Sequence, residues 1–255
     1  MTRFGLMVVM LSAGALFADP VVNPGSRVPI LLELFTSEGC FSCPPGDRLL
    51  EELDRTQPVS GVELIVLSEH VDYWNRLGWK DPFSSSLYST RQGQYANWFH
   101  LEGPYTPQLV VDGRFQLVGS DRREATLAID RSKRDPKVPI TISNLVRSGS
   151  RISTSIEVPP SGPPKRMAAL HVVLAEERAQ SSVTRGENAG RALAHVSVAR
   201  VLAQSGSLDL RDGLTKQLLL SIPEGAGANG LRMVAFLQDP SSGRVLGAAL
   251  RKLEQ

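Results

Sequence analysis

The feature that most constrains this chain is Cys40-Phe41-Ser42-Cys43, which contains both of its cysteines. A disulfide scaffold needs several bridges between distant segments, and one adjacent pair cannot supply them. Bridging Cys40 to Cys43 closes a loop of four residues, for which loop-entropy arithmetic returns only about 2 kcal/mol. Ordinary burial must therefore hold the fold. With 255 residues, 42% of them hydrophobic, the chain has material for one large domain or two modest ones. A structural zinc site normally takes four protein ligands, and no second cysteine pair exists to complete one.

The pair sits in an informative local pattern. Val28–Phe35 is a short apolar run that reads as a buried strand, followed by the turn Thr36-Ser37-Glu38-Gly39. Cys40 to about Arg55 reads as a helix with Leu49, Leu50 and Leu53 on one face. Pro44 and Pro45 fall in its first turn, where a missing N–H costs little. Val62–Ser68 is a second buried strand, so the order suggests a parallel strand–helix–strand unit. His70–Pro82 is aromatic-rich and irregular, and Ser84–Leu101 is predicted helical. Asp112-Gly113 between Pro107–Val111 and Arg114–Val118 is a hairpin signal, because both residues tolerate positive φ. A closing helix runs from Asp121 to about Arg134, capped by Ser120 or Asp121 with Glu124 completing a capping box.

Beyond Asp135–Pro139, which reads as a linker, the pattern becomes one of short strands. They are predicted at Ile140–Val146, Arg151–Val158, Ala168–Ala175, Leu193–Ala203, Leu208–Ile222, Leu231–Gln238 and Val245–Leu250, separated by Gly, Pro and Ser clusters. At the other end, Arg3, the apolar run Phe4–Leu16 and the small residues Ala13, Ala15 and Ala18 form a signal-peptide pattern, with cleavage after Ala15 or Ala18. Such a run is too short to span a bilayer, and no later stretch is long and apolar enough. The expected location is therefore the periplasm or outside the cell. A net charge of +2 gives no electrostatic case for nucleic acid or an anionic membrane. Arg122-Arg123 and Arg131–Arg134 read as a solvated helix face.

Thiol–disulfide exchange needs an attacking thiolate and a second thiol that resolves the mixed disulfide. At a helix start, backbone N–H groups and the helix dipole favour the thiolate, which makes Cys40 the expected nucleophile and Cys43 the resolving thiol. At Thr106-Pro107 the chain resembles the thioredoxin superfamily. There a cis-proline precedes the third strand, packs against the cysteine pair and shapes the substrate groove. This resemblance implies a catalytic set of Cys40, Cys43 and Pro107. Thr106, Phe41 and Ser42 are the expected substrate contacts.

A longer resemblance is carried by PILLELFTSEGCFSCPP, HVDYWNRLGWKDPF, YTPQLVVDG and VTRGENAGRAL. These segments are similar to the exported bacterial proteins of the domain of unknown function 1223 family. That resemblance implies a thioredoxin-like domain followed by a β-rich one, and assigns no substrate. Thioredoxin carries a buried Asp six residues before the first cysteine; here that position is Leu34, and Glu33 should face the other side of the strand. The buried proton acceptor is therefore missing or supplied from elsewhere.

Other polar residues have two readings each. His70 and Asp72 follow the second strand, at the end of a sheet that faces ligands in open α/β folds. His70 is either a packed structural residue or, with Cys40 and Cys43, a ligand for copper or another metal. Tyr73, Trp74 and Trp79 are a packing cluster or a lid. Glu38 and Asp47 tune the cysteines or are solvated helix-end charges. The Arg185–Arg191 loop, with His195 beyond it, is internally salt-bridged or docks near the cysteine cleft; it lacks the spacing of a phosphate loop.

The expected fold class is an α/β thioredoxin-like domain, a central sheet flanked by helices, over residues 27–135. An all-β antiparallel sandwich is expected over 138–255, after a signal peptide at 1–18. The expected function is exported thiol–disulfide exchange with a protein or small thiol or disulfide partner and no cofactor. The alternatives are a copper-binding protein using Cys40, Cys43 and His70, and a non-enzymatic binding module with a structural disulfide.

Overall fold

A computed structural model describes residues 27–227 and 230–253. The expected signal segment at 1–18 lies outside the described residues. Strand β1 (Val28–Thr36) pairs in parallel with β2 (Val62–His70), and helix α1 (Pro44–Thr56) crosses between them. On the other side, β1 pairs antiparallel with β3 (Gln108–Val111), which pairs with β4 (Phe115–Val118).

Being central, β1 is buried on both faces. Ile30, Leu32 and Leu34 pack with Leu49, Leu50 and Leu53 of α1 and with Ala125, Ala128 and Ile129 of α3 (Arg122–Ser132). Leu31 and Phe35 face the opposite side, where Tyr88 and Tyr95 of α2 (Ser86–Trp98) cover them. Glu33 shares that second face, as the alternation of a strand requires. Its carboxylate accepts from Arg91 Nε at 2.6 Å and from the Tyr95 hydroxyl, so the buried charge is paired rather than isolated.

Local signals act as expected in this half. Asp112 and Gly113 take positive φ of 52° and 59° in the β3–β4 turn. The Asp121 side chain accepts from the Glu124 N–H at 3.0 Å and caps α3. Helix α1, however, begins at Pro44 rather than at Cys40. Cys40 lies in the preceding turns, and Cys43 is the N-cap residue.

The expected fold class is corrected. The chain is mostly strand, with three α-helices among the described residues, and its main sheet has eight strands in the order β11-β10-β7-β8-β2-β1-β3-β4. The strands are β7 (Met167–Ser182), β8 (Ala192–Asp209), β10 (Leu231–Gln238) and β11 (Val245–Lys252), together with those of the first half. β8 pairs in parallel with β2 at Ser68 and Val198. The β-rich half therefore supplies half of the main sheet and does not form a separate sandwich beside a helix-flanked sheet. β5 (Thr141–Ser148), β6 (Arg151–Val158) and β9 (Leu214–Ser221) form a small second sheet. Its Ile142, Ile152, Ile156 and Leu220 pack on Leu170, Val172, Met233 and Leu237 of the main sheet.

The cause is physical. Alternation marks a strand and its buried face, but it does not specify the edge with which the strand pairs. The one long run predicted at Leu208–Ile222 is two strands, broken by a turn at Gly213 with φ of 68°.

The β3–β4 turn is clamped into the rest of the molecule. Asp112 accepts from the Leu31 N–H at 3.0 Å and from Lys137 Nζ at 2.6 Å. A Cβ on Gly113 would lie 1.9 Å from the Gly243 carbonyl oxygen. Gly113→Ala should therefore lower unfolding stability by about 2 kcal/mol or more, from positive φ and overpacking together. Chemical denaturation checks this; a midpoint equal to wild type would contradict the clamp.

Candidate functional site

Cys40 and Cys43 form a disulfide. Cys40 lies beyond the buried end of β1 and Cys43 at the start of α1, so a strand and a helix fix both backbones. The Thr106 hydroxyl donates to Cys40 Sγ at 3.2 Å and accepts from Trp74 Nε1 at 2.8 Å. The Ser42 hydroxyl lies 3.4 Å from Cys40 Sγ. The Thr106–Pro107 peptide is cis. Pro107 is wedged where a Cβ on Gly46 or Gly119 would come within 3.0 Å of its own Cβ, so two glycines let α1 and the end of β4 close on it. Thus Cys40, Cys43, Thr106, Pro107 and Ser42 meet at one place. Phe41 stands at its rim, 61% exposed.

Both cysteines are 0% exposed. Their cover comes from a segment far away in sequence, the tip of the β7–β8 hairpin. Asn188, fully buried, donates its side-chain amide to the carbonyls of Glu38 and Cys40, each at 2.9 Å. Glu187 accepts from the Phe41 N–H at 2.9 Å, and the Arg191 guanidinium lies 5.1 Å from the Phe41 ring centre. Of the two readings of the Arg185–Arg191 loop, docking at the cysteine pair is the one the geometry supports.

Behind the pair lies a buried polar cluster. Glu38, 0% exposed, accepts from Trp79 Nε1 at 2.8 Å, from the Ser181 hydroxyl and from His195 Nε2 at 3.2 Å. The other nitrogen of His195, Nδ1, is 3.6 Å from Asp47 Oδ1. Burial alone would push the His195 imidazole down. Asp47 and Glu38 on either side outweigh it and raise its pKa to about 10, so it is a cation at neutral pH. The His70 ring packs edge-on to His195 with centres 4.6 Å apart, and its Nδ1 bonds Asp81 at 2.7 Å. Burial works to raise the Asp81 carboxyl, but His70 and the N–H groups of Glu38 and Phe83 hold it below the usual range.

This corrects the reading of Glu38 and Asp47 as solvated charges. They are 0% and 5% exposed, and with His195 they form the charged layer behind the disulfide. Spacing in the sequence carries no sign of this, because His195 is 157 residues from Glu38. His70 is turned to Asp81 and His195, and among the described residues no three His, Cys, Asp or Glu side chains are arranged to hold a metal. Trp79 is a hydrogen-bond partner of Glu38, and Trp74 a partner of Thr106, which gives the aromatic segment a specific place at the site.

Two expected outcomes follow from this geometry. A histidine whose pKa is raised by folding stabilises the fold fully below its unfolded value, near 6.5, and loses that contribution as pH rises through about 10. Unfolding free energy should therefore fall between those pH values, and His195→Gln should flatten the slope; equal slopes in both proteins would contradict the ion cluster. Asn188→Ala should also speed reduction of the disulfide by dithiothreitol about tenfold, as loss of a doubly bonded buried amide costs about 1.4 kcal/mol or more. An unchanged rate would mean that the loop does not control access.

Comparison with known proteins places the chain in a family. Residues 31–238 match the model of a family described as protein of unknown function DUF1223, and the chain belongs to that family. It is similar to a crystal structure of a protein of Agrobacterium tumefaciens, at 25% identity and a TM-score of 0.64, covering 90% of this chain and 98% of that one. A likeness to OgpA of Akkermansia muciniphila has 13% identity, a TM-score of 0.28, and coverage of 46% of this chain and 29% of that one. It bears on neither fold nor function. No curated protein matches. Among the described residues, no helix is long and apolar enough to cross a membrane.

Proposed function

We propose that this family member is an exported thiol–disulfide oxidoreductase that works through Cys40 and Cys43 in the periplasm or outside the cell. The observation that carries the reading is the investment around a bridge that staples almost nothing. Closing four residues contributes only about 2 kcal/mol. Yet Cys40 Sγ accepts from Thr106, and the pair is backed by the ion cluster of His195, Glu38 and Asp47. Such surroundings set thiol acidity and access, the two quantities that govern exchange.

In the exchange, a thiolate of a protein or small-molecule partner attacks one sulfur of the bridge. A mixed disulfide forms, and the partner's second thiolate displaces the remaining sulfur. The partner is oxidised by two electrons and the pair reduced; the reverse sequence reduces a partner disulfide. Cys40 is the sulfur that meets the partner, since Thr106 and Ser42 reach it and the exposed Phe41 adjoins it. Access requires the Glu187–Arg191 tip to lift from Phe41 and Cys40. No cofactor enters this chemistry.

One observation favours a second reading. Both cysteines are fully buried, as in an inert bridge within a binding module. Trapping separates the two. Cys43→Ser should accumulate a mixed disulfide at Cys40 with a dithiol-derived or glutathione disulfide, detected by intact mass, while Cys40→Ser accumulates far less. If neither variant forms an adduct under conditions that modify free glutathione, the pair is structural.

A further inference from the structure

The exchange reading leaves one chemical requirement without an agent, and the following rests on that reading. When Cys43 resolves a mixed disulfide at Cys40, its thiol must first lose a proton. Cys43 is 0% exposed, so bulk water is not in contact to take it. The position on β1 from which a carboxylate might have reached the pair is Leu34. Glu33 faces the opposite side of the sheet, bonded to Arg91 and Tyr95.

Asp47 meets the requirement from the helix instead. It follows Cys43 by one turn of α1, and its N–H bonds the Cys43 carbonyl at 3.2 Å. Residues four apart on a helix lie on the same face, with Cβ atoms about 5–6 Å apart. The carboxylate is 5% exposed, and its Oδ1 has no hydrogen-bond partner. A buried, unsatisfied carboxylate oxygen is costly, and structural charges are usually placed so as to avoid it. Its nearest cation is His195, whose Nδ1 stands 3.6 Å away, just beyond hydrogen-bond reach, and likewise lacks a partner. The other charged groups of the layer are engaged elsewhere. Glu38 is bonded by Trp79, Ser181 and His195, and Asp81 by His70.

We propose that Asp47 is the proton acceptor and donor for Cys43, and that His195, held by Glu38, is the residue that positions it. In the oxidising direction of the pair, the Cys43 S–H gives its proton to Asp47 Oδ1. The Cys43 thiolate then bonds Cys40 Sγ, and the partner's sulfur leaves as a thiolate with the electron pair of the broken bond. In the reducing direction the attacking partner thiol gives up its proton, its thiolate bonds Cys40, and Cys43 leaves as a thiolate that takes up that proton by way of Asp47. The salt-bridged His195 keeps a positive charge beside the carboxylate and ties the acceptor to the β7–β8 hairpin.

The test uses the full chain in its reduced form with dithionitrobenzoate, which releases one coloured thiolate on attack by Cys40 and a second when Cys43 resolves. The second release is intramolecular and independent of reagent concentration. In Asp47→Asn it should slow by about a hundredfold relative to the first, the lower range for a positioned proton-transfer group. Its pH profile should move to that of an unassisted thiol, near 8.5. Asp47→Glu should recover part of the rate. A second release with unchanged rate and pH profile in Asp47→Asn would overturn the assignment. If that variant does not fold, the wild-type profile decides: a second release that titrates only near 8.5 overturns the proposal. A wild-type protein that releases no thiolate at any pH would instead refute the exchange reading itself.

Discussion

Glu38 is the point on which the arrangement turns. A carboxylate buried to 0% exposure is costly unless it is paired, since its desolvation amounts to several kcal/mol. Its oxygens are met by Trp79 from the segment after β2, by Ser181 of β7 and by His195 of β8. Three remote stretches of chain are thereby fastened to the residue two places before Cys40. Its own backbone joins the same task, with the N–H on Asp81 and the carbonyl on Asn188. Removing the Glu38 charge would leave His195 facing Asp47 alone and would take from Trp79 and Ser181 their shared acceptor.

The long β7–β8 hairpin links architecture to access. At one end it packs Leu170, Val172 and Leu174 against the small second sheet. At the other it lays β8 beside β2 and carries Asn188 and Glu187 onto the turn that holds the cysteines. One element thus extends the main sheet, supplies the histidine of the ion cluster and closes the site. In the proposed function, opening it would be a local event at a tip whose residues, Asn188 apart, are largely exposed.

What the sequence made legible was local in cause. The apolar runs of β1 and β2, the Asp112-Gly113 turn and the Asp121 cap each carry their signal within a few residues, and each forms. The meeting of Cys40 with Thr106 and Pro107 could be expected through resemblance, because the order of elements brings β3 beside β1. The insertion of β8 beside β2 could not, since partner choice between strands is set by packing across the whole sheet. For the same reason Glu38 and Asp47 looked like ordinary helix-end charges. Only the hairpin arriving from beyond residue 180 buries them and gives them His195 as counter-ion.

The central claim is that Cys40–Cys43 is an exchange-active centre rather than a fixed bridge. The most direct measurement is a titration of the protein in glutathione buffers of graded potential, read by alkylation of free thiols. The account predicts a reversible two-electron transition with a midpoint between about −120 and −270 mV, the range of exchange-active pairs. A midpoint below about −300 mV, or thiols that never appear across the accessible range, would contradict it and make the pair a structural bridge.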